Sequence, residues 1–274
     1  MKPTYPLDPD QPDASADVEA RLLESLTPLP LPEARGRALA SRLQERIRAS
    51  RDAGRGLITL RRDQGHWAPL VPGVRVKRLS GGQRAVLLDL APGAVIPFHR
   101  HHEDEECVVL RGSAQLGDVT VHPGDYHLAT TGSRHGVVRS ETGALLFLGG
   151  TPIGHGLEVA RDVVTALLPG RGQAPLTVPR DEGPWTDPAP GLHLKLLRDD
   201  GHGRSLLVRL EAGCRAELAD LAGHGECLMV EGEAFAGDTL LQAGDYQLAP
   251  QGVTRPTLSS DVGGLLFVRT GLRV

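Results

Sequence analysis

The sequence predicts an all-β protein made of two tandem copies of one barrel-like domain, preceded by a short α-helical segment. Three observations support this prediction: the chain matches itself when it is shifted by 120 residues, each copy contains many short apolar runs, and Gly and Pro turns separate those runs. Short strands at regular spacing are typical of a β-sandwich or a β-barrel. A unit that recurs at a fixed period indicates a duplicated domain.

The internal repeat aligns residues 84–150 with residues 204–270 without a gap. Of these 67 positions, 21 are identical. The identical positions include the Gly-Asp-Tyr turns at 124–126 and 244–246 and the Leu-Leu-Phe runs at 145–147 and 265–267. We therefore expect a first barrel at residues 56–152 and a second, degenerate barrel at residues 184–274.

Two segments outside the repeat have helical character. We expect two helices in an extension of residues 1–55, at Asp17–Leu26 and Glu33–Ser50, because the proline-rich residues 27–32 would interrupt one continuous helix. Leu39, Leu43 and Ile47 form an apolar stripe along the second helix. A third helix, near residues 157–168, is expected in a linker at residues 153–183.

The composition excludes several classes of partner. The net charge is −4, so neither nucleic acid nor an anionic membrane is expected as a bulk electrostatic partner. No apolar run is long enough to span a membrane, and no signal peptide is visible at the start. The three cysteines are too few and too scattered for a disulfide framework. A cytoplasmic location is therefore expected.

Histidines cluster in the first barrel, where six of the eleven in the chain lie between residues 99 and 135. His99, His101 and Glu105 share one strand parity, so their side chains should point to one side of a sheet. His135, from a neighbouring strand, would add a third imidazole. Three imidazoles and one carboxylate suit a divalent metal ion and leave one or two coordination positions open.

The second copy distinguishes Glu105 from Glu106, either of which could supply the carboxylate. The four predicted ligands are all replaced together in the repeat, whereas Glu106 persists as Glu226. The replacements are Ala219, Leu221, Gly225 and Arg255 for His99, His101, Glu105 and His135. Glu105 is therefore the predicted ligand. The second barrel is predicted to be metal-free and to serve as a scaffold, a dimer element or an apolar ligand pocket.

Other polar residues near this cluster are weaker candidates. No catalytic residue is assigned, although Tyr126, His127 and Glu106 are candidate general bases. Cys107 is expected to be a buried packing residue, because Cys227 occupies the same place in the metal-free copy. Residues 102–104 are expected to form a solvated turn.

The spacing of these residues resembles the cupin superfamily of small jelly-roll barrels. Its first motif matches Gly93, His99, His101, Glu105 and Gly112, and its second matches Gly124, Gly132 and His135. Thr130 stands where the second motif usually has Pro, and Arg139 where it usually has Asn. Neither of these is a ligand position. The resemblance implies two tandem cupin barrels, of which the first binds metal.

The sequence segments around Trp67, Pro92-Gly93-Ala94 and Gly132-Ser-Arg-His135 resemble the corresponding segments of the ChrR-type cupins. These form part of anti-sigma regulators that respond to oxidative stress, and they bind a divalent metal, often zinc. Their sigma-binding domain carries a second zinc site with a His-x3-Cys-x2-Cys motif. This chain has neither His nor Cys before His66, so the zinc-dependent form of sigma-factor inhibition is not expected here.

Three functions remain open from the sequence. The first is a regulatory or sensory bicupin with one divalent ion per chain (Zn, Fe, Mn or Ni), whose partners would be a small-molecule ligand or a sigma factor. The second is a metal-dependent enzyme, either a dioxygenase or an isomerase or lyase, acting on a small organic substrate. The third is a metal-binding bicupin without turnover. A homodimer is expected in each case.

Overall fold

A computed structural model describes residues 14–26, 31–79, 84–150, 173–216, 224–253 and 255–271. The chain divides into two compact units, Met1–Ala49 and Ser50–Val274. The helices are α1 (Ala14–Ser25) and α2 (Glu33–Ala53). Two short strands, β1 (Ile58–Leu60) and β14 (Leu176–Val178), lie just outside the barrels in the chain.

The first barrel consists of twelve short strands among the described residues. They are β2 (Trp67–Val71), β3 (Val74–Arg78), β4 (Ala85–Leu90), β5 (Ala94–Ile96), β6 (His99–Arg100), β7 (Glu105–Gly112), β8 (Ala114–Leu116), β9 (Val119–Val121), β10 (Tyr126–Ala129), β11 (Arg134–His135), β12 (Val138–Ser140) and β13 (Ala144–Gly149).

The second barrel repeats this arrangement with nine described strands. They are β15 (Thr186–Ala189), β16 (Leu192–Asp199), β17 (Arg204–Leu210), β18 (Cys214–Ala216), β19 (Gly225–Ala236), β20 (Thr239–Gln242), β21 (Tyr246–Ala249), β22 (Leu258–Ser260) and β23 (Gly264–Thr270). The prediction of an all-β protein with two tandem barrels and a short helical segment is confirmed.

The large sheets of the two barrels have equivalent strand orders. The order is β14-β10-β7-β13-β4-β3-β2 in the first and β1-β21-β19-β23-β17-β16-β15 in the second. A smaller sheet, β5-β12-β8-β9, closes the first barrel. Adjacent strands run antiparallel, which the short connecting turns permit.

Successive residues along β7 face two different cores. Cys107 and Val109 lie in the interior of the first barrel, whereas Val108 lies in a cluster that contains residues of both barrels. Phe147 and Phe267, equivalent in the repeat, meet in this shared cluster with their ring centroids 5.5 Å apart. The large sheets therefore bury one face inside their own barrel and the other face against the neighbouring barrel.

The two barrels exchange their edge strands. β1, which precedes the first barrel, pairs with β21 of the second, and β14, which precedes the second barrel, pairs with β10 of the first. Residues 176–178 lie within the linker predicted at residues 153–183, and a strand of three residues is too short to show a periodicity in the sequence. The exchange covers an edge of each large sheet that would otherwise present unpaired backbone groups.

Equivalent aspartates hold the exchanged segments. Asp245 accepts hydrogen bonds from the backbone N–H of Arg62 at 2.8 Å and from Arg61 Nη1 at 2.9 Å. Asp125 accepts one from the backbone N–H of Arg180 at 2.7 Å. Each aspartate belongs to a repeated Gly-Asp-Tyr turn, so the turn of one barrel anchors the segment that leads into the other.

Each barrel contains one buried lysine that donates hydrogen bonds to the segment leading into that barrel. Lys77 Nζ donates to the carbonyls of Arg62 and Gln64 at 2.7 and 3.0 Å. Lys195 Nζ donates in the same way to Pro179, Arg180 and Glu182. Each ammonium also lies over a tryptophan ring, Trp67 or Trp185. Burial lowers the pKa of both lysines.

The helices differ from the prediction only at their ends. α1 begins three residues earlier than expected and α2 ends three residues later. The side chains of the apolar stripe on α2, Leu39, Leu43 and Ile47, are exposed. The helix predicted near residues 157–168 lies outside the described residues. No described helix is long and apolar enough to cross a membrane.

Candidate metal centre

Three of the four predicted metal ligands lie next to one another in the first barrel. His99 is on β6, His101 follows that strand, and Glu105 begins β7. The rings of His99 and His101 meet edge-on with centroids 4.9 Å apart. His101 Nδ1 lies 3.9 Å from Glu105 Oε1. His101 is buried, while His99 and Glu105 are partly accessible.

The backbone also brings the fourth residue to this place. β11 pairs with β6, and His135 is the direct partner of His99 in that pairing. The side chain of His135 lies outside the described part of the structure. Among the described side chains, no three His, Cys, Asp or Glu residues converge closely enough to hold a metal ion. The predicted site also includes His135, which stays a prediction.

The chemistry of the donors fits a metal ion. His99 Nδ1 lies 2.9 Å from the carbonyl oxygen of Pro97. A carbonyl can only accept, so Nδ1 carries the proton and Nε2 retains its lone pair. A metal-binding histidine is usually oriented by such a bond from its other nitrogen. The donor set of imidazoles and one carboxylate is one that Zn, Fe, Mn and Ni accept.

The electrostatics around Glu105 are unusual for a carboxylate. Burial raises the pKa of Glu105 to about 7. Burial also raises the pKa of the Cys107 thiol, and the charge of Glu105 adds to this effect. Cys107 is therefore a protonated thiol packed in the barrel interior. All three cysteines are free and buried, as expected for a chain without a disulfide framework.

Two of the three candidate general bases point away from the predicted ligands. Glu106 alternates with Glu105 along β7 and therefore lies on the opposite face of that strand. The Tyr126 hydroxyl donates to Glu106 Oε2 at 2.9 Å, and both residues are buried. Burial, with the neighbouring charge of Glu106, raises the pKa of Tyr126. This hydrogen-bonded pair lies where the two barrels meet and not among the predicted ligands.

The third candidate, His127, shares the interior face with the predicted ligands. It is the cross-strand partner of Cys107, and Ala129, two residues further along β10, is the partner of Glu105. His127 Nδ1 lies 2.8 Å from Thr177 Oγ1 on the exchanged strand β14. Burial lowers the pKa of His127 to about 4, so the ring is neutral at physiological pH.

An ion pair that the sequence did not predict connects the residue next to Glu105 with the second barrel. Asp104 was expected in a solvated turn, but it accepts hydrogen bonds from Thr131 N and Oγ1 at 2.7 and 2.8 Å. Arg198 of β16 also donates to it at 2.5 Å. Burial raises the pKa of Asp104, but these bonds outweigh burial and lower it overall. The sequence gives no signal for a partner 94 residues away.

A second charged network crosses the barrel boundary nearby. Arg269 of β23 is buried and pairs with both Glu106 and Glu226. Tyr246 donates to Glu226 at 2.6 Å, as Tyr126 does to Glu106. The repeat equivalent of Arg269 is Gly149, where an added Cβ would lie 2.6 Å from Arg269 Nη1. Arg269 therefore forms an ion pair with one glutamate of each barrel.

In the second barrel, none of the four residues at the ligand positions is His or Glu. At one of these positions the surrounding backbone also leaves no space for a side chain. Gly225 stands at the place of Glu105, and an added Cβ there would lie 2.4 Å from the carbonyl oxygen of Arg269. Arg255, at the place of His135, is buried. Ala219 and Leu221 lie outside the described residues.

Solved structures with related folds contain two barrels of this kind. The chain aligns with a candidate dioxygenase from Nostoc punctiforme with a TM-score of 0.59 and 18% identity, covering 80% of this chain and 85% of that one. It aligns with the oxalate decarboxylase of Lactobacillus farciminis with a TM-score of 0.56 and 15% identity, covering 79% and 86%. At these identities the similarity shows the fold alone.

The oxalate decarboxylase of Bacillus subtilis gives a similar result, with a TM-score of 0.51, 17% identity, and coverage of 78% of this chain and 77% of that one. No curated protein sequence matches the chain significantly. The sequence profile of the ChrR cupin-like domain matches twice, at residues 56–153 and 173–272. These two matches include most of the chain, and each contains one barrel and the exchanged strand that precedes it. The chain therefore belongs to the ChrR cupin-like domain family, as a bicupin.

Proposed function

We propose that the first barrel binds one divalent metal ion through His99, His101, Glu105 and His135, and that the chain is a regulatory or sensory bicupin linked to oxidative stress. The observations that carry the metal site are the edge-on contact between the rings of His99 and His101 and the 3.9 Å separation of His101 Nδ1 and Glu105 Oε1. The hydrogen bond from His99 Nδ1 to the Pro97 carbonyl supports it, because metal-binding histidines are commonly oriented in this way by their other ring nitrogen.

The regulatory part of the proposal rests on the link from the site to the second barrel. Asp104 is adjacent to the ligand Glu105 and is held by Arg198 across the barrel boundary. Glu106, on the other side of Glu105, is held by Arg269. A change in the occupancy or oxidation state of the metal would move Glu105, and both neighbours would pass that movement to the second barrel.

The residues of this chain would give the metal a partly enclosed setting. A bound divalent ion supplies Lewis acidity, or redox chemistry if it is iron or manganese. The carboxylate of Glu105 would offset its charge in a buried position, and the Pro97 carbonyl would keep His99 in the required tautomer. Since Tyr126 and Glu106 point to the other face of the sheet, neither is aimed at the metal.

A metal-dependent enzyme is the second candidate. His127 favours it, because a neutral imidazole on the interior face beside Cys107 could accept or donate a proton. The related folds described as a candidate dioxygenase and as oxalate decarboxylases are compatible with it. In this case the chain would act as a dioxygenase, or as an isomerase or lyase, on a small organic substrate.

Metal content is the first test. Full-length protein, purified anaerobically without a metal-binding tag, should contain about one divalent ion per chain by elemental mass spectrometry. A His99→Ala/His101→Ala double variant should lose it. His122→Ala is the matched control, since His122 is exposed and belongs to the same barrel, and it should retain the metal. Absence of metal in the wild type and in the control would overturn the site.

The identity of the metal separates the two functions. Tightly held zinc would support the regulatory proposal, while iron or manganese would support the enzyme and justify a screen for oxygen consumption. The partner test uses the full chain against the sigma factors of its own organism, with and without metal. Metal-dependent binding that is lost in Leu39→Glu/Leu43→Glu would support regulation through α2, and metal-independent binding would argue against it.

A further inference from the structure

A second polar site lies inside the barrel that has no metal ligands. Arg255 is 8% exposed, and its Nε, Nη1 and Nη2 atoms are buried without an oxygen or nitrogen partner among the described residues, so that its only neighbouring acceptor there is the weak one of the Cys227 sulfur. A guanidinium carries five N–H donors and stays charged at every physiological pH. Burying such a group is unfavourable unless an anion and hydrogen-bond acceptors accompany it.

The position of Arg255 places it inside the second barrel. It is the repeat equivalent of His135, whose backbone lies opposite His99 in the first barrel. Its charge acts on the thiol of Cys227, where it opposes the rise in pKa that burial causes. Cys227 is fully buried in the interior core of the second barrel. The guanidinium is therefore directed inward, to the sulfur of Cys227, which is a weak acceptor.

A second unpartnered polar atom faces the same interior. Gln247 is the direct cross-strand partner of Cys227, so both side chains lie on one face of the sheet. Gln247 Nε2 donates to Thr59 Oγ1 at 3.1 Å. Its Oε1 atom is buried without a partner among the described residues. Arg255 and Gln247 thus flank one cysteine, yet they do not satisfy each other.

We propose that the second barrel binds a small organic carboxylate that also carries a hydrogen-bond donor, such as a hydroxy acid. Arg255 binds the carboxylate, whose planar geometry matches the guanidinium. The hydroxyl group donates to Gln247 Oε1. Apolar residues of the interior, including Met229 and Leu258, surround the rest of the ligand. The first barrel would then hold a cation and the second an anion at equivalent places.

The test is calorimetric titration of the full wild-type chain with sodium glycolate and with sodium acetate. Glycolate should bind saturably, and more tightly than acetate, because only glycolate reaches Gln247. Arg255→Met should weaken glycolate binding at least about tenfold. Gln247→Leu should reduce glycolate to the affinity of acetate and leave acetate unchanged. Arg215→Gln, at an exposed arginine of the same barrel, should behave as wild type.

The proposal does not depend on these variants folding. Glycolate should raise the melting temperature of the wild type by mass action, whereas the neutral glycolamide should not. Equal stabilisation by both compounds would overturn recognition by charge. Failure of any carboxylate to bind the wild type, or unchanged binding in a folded Arg255→Met variant, would overturn the site. Metal-free protein is used throughout, so glycolate has no ion to chelate in the first barrel and the outcome does not depend on the metal proposed there.

Discussion

Asp104 in the first barrel and Arg198 in the second form an ion pair, with Asp104 Oδ2 and Arg198 Nη2 2.5 Å apart. The aspartate is adjacent to the predicted ligand Glu105, and Arg198 also lies 3.7 Å from Glu106. A single arginine of the second barrel therefore contacts the residues on both sides of Glu105. This arrangement joins the candidate metal centre to the barrel that is predicted to be metal-free.

The first prediction concerns this ion pair. Asp104→Asn should weaken zinc binding about tenfold, as changes in residues that support metal ligands commonly do. Arg198→Met should have a similar effect, and the double variant should lose little more, because the two residues act as one unit. Competition with a chromophoric chelator measures the affinity. Glu103→Gln, whose partner is the surface residue Arg84, is the control. Additive losses would contradict the coupling.

The second prediction concerns Arg269 at the barrel boundary. Arg269→Met removes the buried cation that Glu106 and Glu226 share and leaves, among the described cations, only Arg198, at 3.7 Å, beside Glu106, so the free energy of unfolding should fall by about 3–5 kcal/mol. A triple variant that also carries Glu106→Gln and Glu226→Gln should recover part of the lost free energy of unfolding, because the uncompensated negative charges are then removed. Urea unfolding followed by circular dichroism measures both changes. A triple variant less stable than Arg269→Met would show that the charges are not the cause.

The third prediction concerns pH and His127. The pKa of His127 is lowered to about 4 in the folded chain from 6.5. Between these values the unfolded state binds a proton that the folded state does not, so stability falls as the pH falls. The expected loss in metal-free protein is about 2 kcal/mol from pH 7 to pH 5.

The repeat supplies the variant that tests this effect. His127→Gln introduces the residue found at the equivalent position, Gln247, and should remove the loss attributed to His127. The reverse change, Gln247→His, should add a comparable loss if the second barrel buries the ring equally. Urea unfolding of the metal-free proteins at the two pH values measures the difference. An unchanged pH dependence in His127→Gln would refute the assignment.

The fourth prediction concerns the exchanged strands. Asp245→Ala removes the acceptor of Arg61 and Arg62 and should accelerate hydrogen exchange in residues 58–64. Asp125→Ala should accelerate exchange in residues 176–182 instead. Each change should cost about 1–3 kcal/mol. Mass spectrometry of peptic fragments locates the effect, and each variant serves as the control for the other. Equal acceleration in both segments would contradict the exchange.

The sequence was informative where neighbouring residues in the chain determine the structure. The 120-residue repeat predicted two equivalent barrels, and comparison of the two copies distinguished Glu105, which is replaced by Gly225, from Glu106, which persists as Glu226. The spacing of His99 and His101 predicted that they share one side of the chain, because residues two apart on an extended chain face the same side, and their rings are in contact. The profile match at 56–153 and 173–272 agrees with that division.

The sequence by itself thus determined the fold class, the duplication and the choice of candidate ligands, since each of these follows from local periodicity and from comparison of the two copies. Only the tertiary structure decided which edge strand joins which barrel, that Arg269 serves two glutamates, and that Asp104 meets Arg198. These contacts join residues far apart in the chain, and their energies depend on burial and on charges brought together by folding. No local pattern encodes such a pairing.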